Sequence, residues 1–317
     1  KAERRAERED RTMMECERIG SRLQHLLGQP STSNGAEVGE ECFSATGETT
    51  SETKLQVVSG RQIWEAMGGK DSIPPLKTYQ TVGVNFLLLL HQEGMGAILA
   101  DEMGLGKTAQ VIAFLSVLKF QRNEHRPHLV VAPASLLENW QRELKFWSPN
   151  LRTVLYHGND REKEADRLGQ WQKGGYNAGK ELPFDVLLTC YSLFERDSPQ
   201  SQADRKFLCG FKWSHLIMDE AHMLKNASST RARKLNKVAN QCAQRLMLTG
   251  TPLQNDLSEL ANLLMMIMPQ VFADSQLDLD DLADDDNKSV RRMKKLLAPF
   301  VLRRIKSQVM SQLVAKT

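Results

Sequence analysis

Short apolar runs, separated by segments long enough to form helices, constrain the fold of this chain more than any other feature. The runs are AILA (97–100), LVVA (129–132), TVLYH (153–157), DVLLTC (185–190), HLIM (215–218) and RLMLT (245–249). Runs that are mostly apolar, without alternation, are typical of strands buried on both faces. Such strands alternating with helices form a parallel sheet covered on both sides. The sequence therefore predicts an α/β fold.

The composition is that of a soluble globular protein, with 317 residues, 41% apolar and 26% charged. The longest apolar stretches, 84–90 and 111–118, are far shorter than the roughly 18 residues of a membrane-spanning helix. The five cysteines form no C-x-x-C pair and no metal-ligand pattern with histidine, which favours a reducing compartment. The first residues, KAERRAERED, do not form a signal peptide and have the character of the inside of a longer chain. We therefore expect neither secretion nor a membrane partner.

The domain organisation follows from changes in local composition. Residues 1–54 are predicted to form a charged helix and then a flexible linker rich in Gly, Ser, Thr and Glu. Residues 55–75 form a lead-in segment, and the polar stretch 160–183 is interpreted as a surface insertion with a short helix at 161–171. Basic blocks at 221–255 and 288–317 flank an acidic run at 274–286. Such blocks are usually solvated faces, and only clustering in three dimensions would make a polyanion site.

A glycine-rich loop follows the first predicted strand, as AILA leads into DEMGLGKT and then into an apolar helical pattern. Gly104 and Gly106 permit positive φ, and without a Cβ they let backbone amides converge on an anion where the helix begins. In that context Lys107 is expected to reach the β and γ phosphates and Thr108 to ligate Mg²⁺. Asp101 stands where the strict G-x-x-x-x-G-K-[ST] pattern has glycine, so an ordinary glycine turn is the alternative.

Two acids follow directly on the strand HLIM. A carboxylate at the carboxyl end of a buried parallel strand lies at the crevice where such sheets bind ligands. Asp219 is predicted to hold the Mg²⁺ shell, and Glu220 to orient or deprotonate the attacking water. The alternative is that these acids only mark a helix start, where the dipole favours them. The last strand ends in LTGTPLQN, whose small hydroxyl residues form either a plain turn or a γ-phosphate sensor.

Taken together, these motifs resemble a known family. DEMGLGKT, DEAH and LTGTPLQN are similar to motifs I, II and III of superfamily-two helicases. Their individual residues also resemble those of the SWI/SNF-type ATP-dependent DNA translocases that remodel chromatin. The segment 76–87 resembles the family segment whose Gln contacts adenine. Residues 132–140 resemble motif Ia, and residues 187–194 resemble motif Ib. Residues 300–306 resemble the segment that closes the first lobe. The chain also resembles the single-chain branch related to the yeast Fun and mouse Etl proteins. The resemblance covers 76–306 and implies the first RecA-like lobe, a P-loop three-layer sandwich. Residues 307–317 would begin a linker to a second lobe.

The resemblance assigns a role to each matching position. The nucleotide would be bound by Gln80, Asp101, Glu102, Met103, Gly104, Leu105, Gly106, Lys107 and Thr108. Catalysis falls to Lys107, Asp219 and Glu220, metal binding to Thr108 and Asp219, and coupling to His222, Thr249, Gly250 and Thr251. The DNA backbone would be approached by Ser135, Asn139, Thr189, Ser192 and Lys225. Backbone contacts of this kind carry no base specificity and weaken with salt.

Three further residues are not assigned to the nucleotide site. Trp140 is expected to be a core residue rather than a stacking platform. Arg303 and Arg304 are expected at the core edge or facing DNA, since the family's arginine fingers belong to the second lobe. Because a finger contributes about 10³ to 10⁵ in rate, the isolated lobe is expected to hydrolyse little.

The function implied by the resemblance is a nuclear ATP hydrolase that uses ATP and Mg²⁺ and acts on double-stranded DNA and nucleosomes, including their histones. A second RecA-like lobe of the same full-length protein would complete the site. Alternatives are a DNA-repair translocase of the same superfamily and a catalytically silent chromatin-binding module. An RNA helicase shares DEAH, but APASLLENW and LTGTPLQN match its motifs poorly.

Overall fold

The computed structural model describes residues 57–173, 182–224, 229–250 and 297–309, together with Arg18, 262–263 and 265–267. The acidic run at 274–286 and, apart from Arg18, the helix and linker predicted for 1–54 lie outside the described residues. The Arg18 guanidinium lies 3.5 Å from the carboxylate of Glu93.

A parallel sheet of seven strands forms the centre of the described structure. The strands are β1 Ala97–Leu99, β2 His128–Ala132, β3 Thr153–Leu155, β4 Val186–Cys190, β5 Trp213–Met218, β6 Cys242–Leu248 and β7 Val301–Leu302. Their order is β3-β4-β2-β5-β6-β1-β7, and every pairing is parallel. The predicted α/β fold and its predicted strands are confirmed. The strand β7 was not predicted, because two residues are too few to show a periodicity.

Helices connect these strands and cover the sheet. They are α1 Gly60–Ala66, α2 Thr78–Gln92, α3 Lys107–Gln121, α4 Leu137–Trp147, α5 Arg161–Lys173, α6 Pro199–Cys209, α7 Thr230–Ala239 and α8 Lys306–Val309. Short 3-10 turns follow β2, β4 and β5, at Ala134–Leu136, Tyr191–Phe194 and Ala221–Leu224. Over the described residues, no helix has both the length and the apolar character needed to cross a membrane.

The helix α3 is the central element of the core. Its residues 109–118 are all buried, and it packs against α1, α2 and α4. Burying one large apolar side chain stabilises a fold by about 1.5–3 kcal/mol. A helix that is buried on every face therefore contributes strongly to the stability of the folded state. The lead-in segment joins the same core, because Ile63 and Met67 are fully buried there.

The helix predicted in the polar stretch 160–183 is confirmed as α5. It does not project into solvent but packs against the rest of the protein. Leu168 is fully buried, Gln172 Nε2 donates to the carbonyl of Phe207 at 2.6 Å, and Arg161 Nε lies 2.9 Å from Oδ2 of the buried Asp204. These contacts hold α5 against α6 at the β3 side of the sheet.

Two buried histidines, His128 and His215, and the half-buried His91 cluster near the amino ends of the strands. The ring of His215 lies 5.0 Å from that of His91 and 5.4 Å from that of His128, between centroids. Burial lowers the pKa of all three, that of His128 to about 4 and that of His215 well below its usual range. The nearby carboxylate of Glu124 acts in the opposite direction on the pKa of His128, but burial dominates. The folded state therefore holds these rings neutral.

We expect the stability of the fold to depend on pH through this histidine cluster. A folded-state pKa below the unfolded value of about 6.5 means that the unfolded chain takes up protons first, so stability is full above about pH 6.5 and falls as the pH decreases towards about 4. For His128 alone the loss between about pH 7 and 5 is roughly 2 kcal/mol. Urea unfolding at several pH values would measure it, and His128→Phe should flatten the dependence by that amount. An unchanged slope in the variant would contradict this assignment.

Candidate nucleotide-binding site

The glycine loop, the paired acids and the described start of LTGTPLQN, residues 248–250, meet at the carboxyl edge of the sheet. In the strand order, β6 lies between β1, which leads into the glycine loop, and β5, which leads into the paired acids. The amide of Thr249, after β6, donates to the carbonyl of Leu99 in β1 at 3.1 Å. A Cβ placed on Gly250 would lie 3.8 Å from Lys107 Nζ and 2.8 Å from Met103 Cγ. The end of β6 therefore touches the glycine loop on one side and neighbours the acids on the other.

The glycine loop adopts the conformation that its sequence predicts. Gly104 has φ +86° and Gly106 has φ +74°, both left-handed, and Gly106 is the N-cap of α3. A Cβ on Gly106 would lie 2.4 Å from Gln80 Nε2, so a larger residue there would be strained and would also displace Gln80. The first amides of a fifteen-residue helix are thereby left facing the loop, which is the arrangement that binds phosphate.

Gln80 lies directly against this loop. Its side chain is buried, with Nε2 3.4 Å from the carbonyl of Leu105 and Oε1 accepting from the amide of Lys77 at 2.9 Å. The hydroxyl of Tyr79 also donates to the Leu105 carbonyl, at 3.3 Å. The helix α2 therefore positions its first turn beside the site of the predicted phosphate groups.

The ammonium of Lys107 lies within the loop and faces the acids. Nζ donates to the carbonyl of Asp101 at 2.7 Å and lies 3.5 Å from that of Glu102. Burial lowers the pKa of Lys107, while the charges of Asp101, Glu220 and Asp219 oppose that shift. The carboxylates of Asp219 and Glu220 are therefore close enough to Lys107 for their charges to act on its pKa.

Asp219 is held rigidly at the end of β5. It is 9% exposed, Oδ2 accepts from the indole N–H of Trp140 at 2.8 Å, and Oδ1 accepts from the amide of Glu220 at 2.9 Å. Burial raises the pKa of Asp219, whereas these two bonds favour the charged form and partly offset the shift. The hydroxyl of Tyr191 donates to the Asp219 carbonyl at 2.8 Å. The carboxylate thus has a fixed orientation.

Glu220 has φ +51°, a left-handed conformation that a residue other than glycine seldom adopts. Such a conformation persists only when the surroundings impose it, and it is common at functional sites. The Glu220 carboxylate lies 3.1 Å from Nδ1 of His222, whose ring is exposed. His222 and Glu220 are therefore paired at the position that the sequence predicts for coupling.

Trp140 is fully buried, in agreement with its interpretation as a core residue. Its bond to Asp219 was not predicted, because the two residues are 79 positions apart. The sequence offered only a general indication of this bond, because a buried tryptophan usually needs a hydrogen-bond partner for its N–H.

Arg304 explains why an aspartate stands at the first position of the phosphate-loop pattern. The Asp101 carboxylate is fully buried, and Oδ1 accepts from the amide and from Nε of Arg304, both at 3.0 Å, while Oδ2 accepts from Nη2. Arg304 also donates to the Tyr79 carbonyl and to Gln110 Oε1 at 2.7 Å. It is a residue of the core edge, one of the two positions expected for it, and Arg303 is exposed.

The residues predicted to approach DNA divide into two groups. Ser135 is exposed in the turn after β2, and the half-buried Asn139 accepts from Arg142 Nη2 at 2.6 Å. Ser192, also half-buried, lies after β4 with its hydroxyl 2.9 Å from Cys190 Sγ. These three follow strand ends on the same edge as the nucleotide site.

Thr189 differs from these three residues. Its side chain is fully buried, and its hydroxyl donates to the carbonyl of Tyr156 at 3.0 Å, because this strand position points into the protein. Lys225 and Thr251, predicted for DNA binding and coupling, lie outside the described residues.

The basic block at 221–255 is only partly available to a polyanion. Arg231 and Lys234 pair with Glu195 and Asp197. Arg245 is buried and donates to the Met266 carbonyl at 2.9 Å. Most of the block's described charge is thus used within the fold.

The strand order, the glycine loop at the start of α3 and the paired acids after β5 define a P-loop nucleotide-binding lobe of the RecA-like type. The structure is similar to the Sulfolobus solfataricus SWI2/SNF2 ATPase core solved in complex with dsDNA, with TM-score 0.61 and 28% identity over 82% of this chain and 49% of that one. The model of the SNF2-related domain matches residues 79–317. The chain belongs to the SNF2-related domain family.

Curated relatives agree with this assignment. The Arabidopsis thaliana Protein CHROMATIN REMODELING 19 is 52% identical over 266 residues, which cover 83% of this chain and 34% of that protein. The Saccharomyces cerevisiae ATP-dependent helicase FUN30 is 43% identical over 258 residues, covering 76% and 21%. The resemblance to SWI/SNF-type proteins and to the Fun-related branch is confirmed. The chain spans about a third or less of the length of these relatives.

We expect Trp140→Phe to impair metal-dependent nucleotide binding without unfolding the protein. Phenylalanine fills most of the same space but removes the indole N–H, so the pKa of Asp219 should rise further, and a bond to a charged group worth about 1.5–3 kcal/mol is lost. Titration of nucleotide affinity against Mg²⁺ concentration should show a shift to about tenfold higher Mg²⁺. Trp171→Phe, in α5, serves as the control. Equal Mg²⁺ dependence in both variants would show that the indole bond does not matter to the site.

Proposed function

We propose that this chain is the ATP-binding and hydrolysing lobe of a double-stranded DNA translocase that remodels nucleosomes. The observation that carries the proposal is the strand order, which brings the glycine loop with Lys107 and the acids Asp219 and Glu220 to one edge of the sheet. The chain also belongs to the SNF2-related domain family. The relatives' names, which include ATP-dependent helicase and chromatin remodeling, support ATP as the nucleotide and chromatin as the substrate.

The residues present fit ATP together with Mg²⁺. Thr108, the second residue of α3, and Asp219 supply the hard oxygen donors that Mg²⁺ prefers, and Mg²⁺ usually takes only one or two such protein ligands with phosphates and waters as the rest. Among the described residues no group of three or more His, Cys, Asp or Glu could hold a metal by itself, which agrees with a ligand set completed by the nucleotide. When bound, Mg²⁺ neutralises negative charge on the β and γ oxygens.

The chain's own residues then have distinct tasks. Lys107, which now donates to the Asp101 and Glu102 carbonyls, would turn its donors to the phosphate oxygens. Glu220 would accept a proton from the attacking water or orient it, and its pairing with His222 would link that step to the surface. Thr249 and Gly250, in contact with β1 and the glycine loop, would sense the γ-phosphate.

The DNA would be held by its backbone along the same edge of the sheet. Ser135, Asn139 and Ser192 follow strand ends there, and the similar SWI2/SNF2 core was solved with dsDNA. We also propose a second RecA-like lobe in the full-length protein, which would complete the cleft, and a nuclear location. The alignment of this chain with 49% of the SWI2/SNF2 core supports the second lobe.

Lys107→Ala in the full-length protein should abolish DNA-stimulated ATP turnover, by about 10³-fold or more, because the main cation on the transferred phosphate is lost. The thermal unfolding temperature should stay close to that of the wild type, since the side chain is not part of the apolar core. Lys163→Ala is the matched control, because Lys163 lies on α5, which follows the edge strand β3, and is 84% exposed. Full activity of Lys107→Ala would show that the phosphate site lies elsewhere.

The substrate class is tested by the ATPase rate of the full-length protein with duplex DNA, RNA or nucleosomes. Stimulation by duplex DNA and nucleosomes is expected, and it should weaken as salt rises. Stimulation by RNA alone would favour an RNA helicase, and no turnover under any condition would favour a silent chromatin-binding module.

A further inference from the structure

The segment that closes the lobe runs beside the glycine loop as a continuation of the sheet. The Ala100 amide donates to the Leu302 carbonyl at 2.8 Å, and the Glu102 amide to the Arg304 carbonyl at 2.9 Å. The Lys306 amide in turn donates to Glu102 Oε2 at 2.7 Å. Three successive bonds thus align residues 302–306 with the first residues of the glycine loop.

The buried pair of Arg304 and Asp101 fixes this alignment. Asp101 is fully buried and the Arg304 side chain is 12% exposed, so neither can rotate away without leaving a charge in the interior. Breaking such a pair from one side is strongly unfavourable. The backbone of Lys306, two residues further on, is therefore anchored by the core as well as by its amide bond to Glu102.

This alignment places the Lys306 side chain over the glycine loop. A Cβ on Gly104 would lie 3.5 Å from Lys306 Cε and 3.6 Å from Nζ. The ammonium lies 4.0 Å from Glu102 Oε1, too far for a hydrogen bond, and the side chain is 51% exposed. Lys306 therefore presents a cation beside the loop without a short bond to Glu102 that would hold it away from a ligand.

We propose that Lys306 is a second cation of the nucleotide site and contacts the polyphosphate of the bound nucleotide. This inference rests on the proposed function, and it adds a residue that lies outside the glycine loop and the paired acids. A lysine is a mobile point charge with three donors, so a small rotation about its stem is enough to reach an anion in the loop. Lys306 then joins the nucleotide to the strand that leads out of the lobe.

The test is the affinity of the full-length protein for a fluorescent ATP analogue, measured with Mg²⁺ present. Lys306→Met removes the charge but keeps the stem and the amide that binds Glu102. We expect about tenfold weaker binding at about 50 mM salt, and a smaller difference at about 500 mM, because salt screens an exposed charge. Lys306→Arg should bind within about twofold of the wild type, because it keeps the charge. Fluorescent adenosine should bind both variants equally.

Controls separate this inference from the proposed function. Lys163→Met, distant from the loop, should leave the affinity unchanged. If Lys107→Ala loses binding while Lys306→Met binds as the wild type does, the nucleotide site stands and the role of Lys306 is overturned. A loss in Lys306→Met that is independent of salt, or equal for adenosine, would also overturn it, since both indicate a structural effect. A full-length wild-type protein that does not bind the analogue would reject the proposed function itself.

Discussion

Parallel pairing of β1 and β5 to the two edges of β6 is the constraint on which the site depends. Because all three strands run in the same direction, their carboxyl ends lie at one edge of the sheet. The loops that follow these strands therefore lie next to one another. The glycine loop, the Thr249–Gly250 turn and the paired acids are distant in sequence, yet they lie at one edge of the sheet, where the acids oppose the lowering of the pKa of Lys107 by burial. A change in strand order would separate them without altering any motif.

Buried polar groups give this edge its rigidity. Asp101 is held by Arg304, and Asp219 by the indole of Trp140 and the amide of Glu220. Leaving such a carboxylate without its partner costs about 1–3 kcal/mol, and more for a charged group, so each acid is stable only in its observed orientation. The apolar layer around α3 supplies the stability, and these satisfied acids supply the geometry.

Much of the fold and site could be predicted from local pattern. The apolar runs gave the strands because a strand covered on both faces needs no polar alternation, and Gly104 and Gly106 indicated a loop because only glycine readily takes positive φ. The burial of Thr189 could not be predicted from its motif: a threonine at a strand end is compatible with either direction. Trp140 and Asp219 are bonded although they are 79 positions apart, and Lys306 lies above Gly104 although they are about 200 positions apart. At such separations local sequence patterns carry no information.

The amino-acid sequence by itself determined which chemical groups this protein carries and which local shapes hold them: the glycine loop before a buried helix, the acids after a buried strand, and the strands themselves. These follow from backbone sterics and apolar burial, which act over a few residues. Only the tertiary structure decided which strands are neighbours, and therefore that Arg304 meets Asp101, that Trp140 meets Asp219 and that Thr189 faces inward. Those contacts depend on the packing of the whole core, because burial free energy is gained wherever apolar surfaces fit, regardless of their separation along the chain.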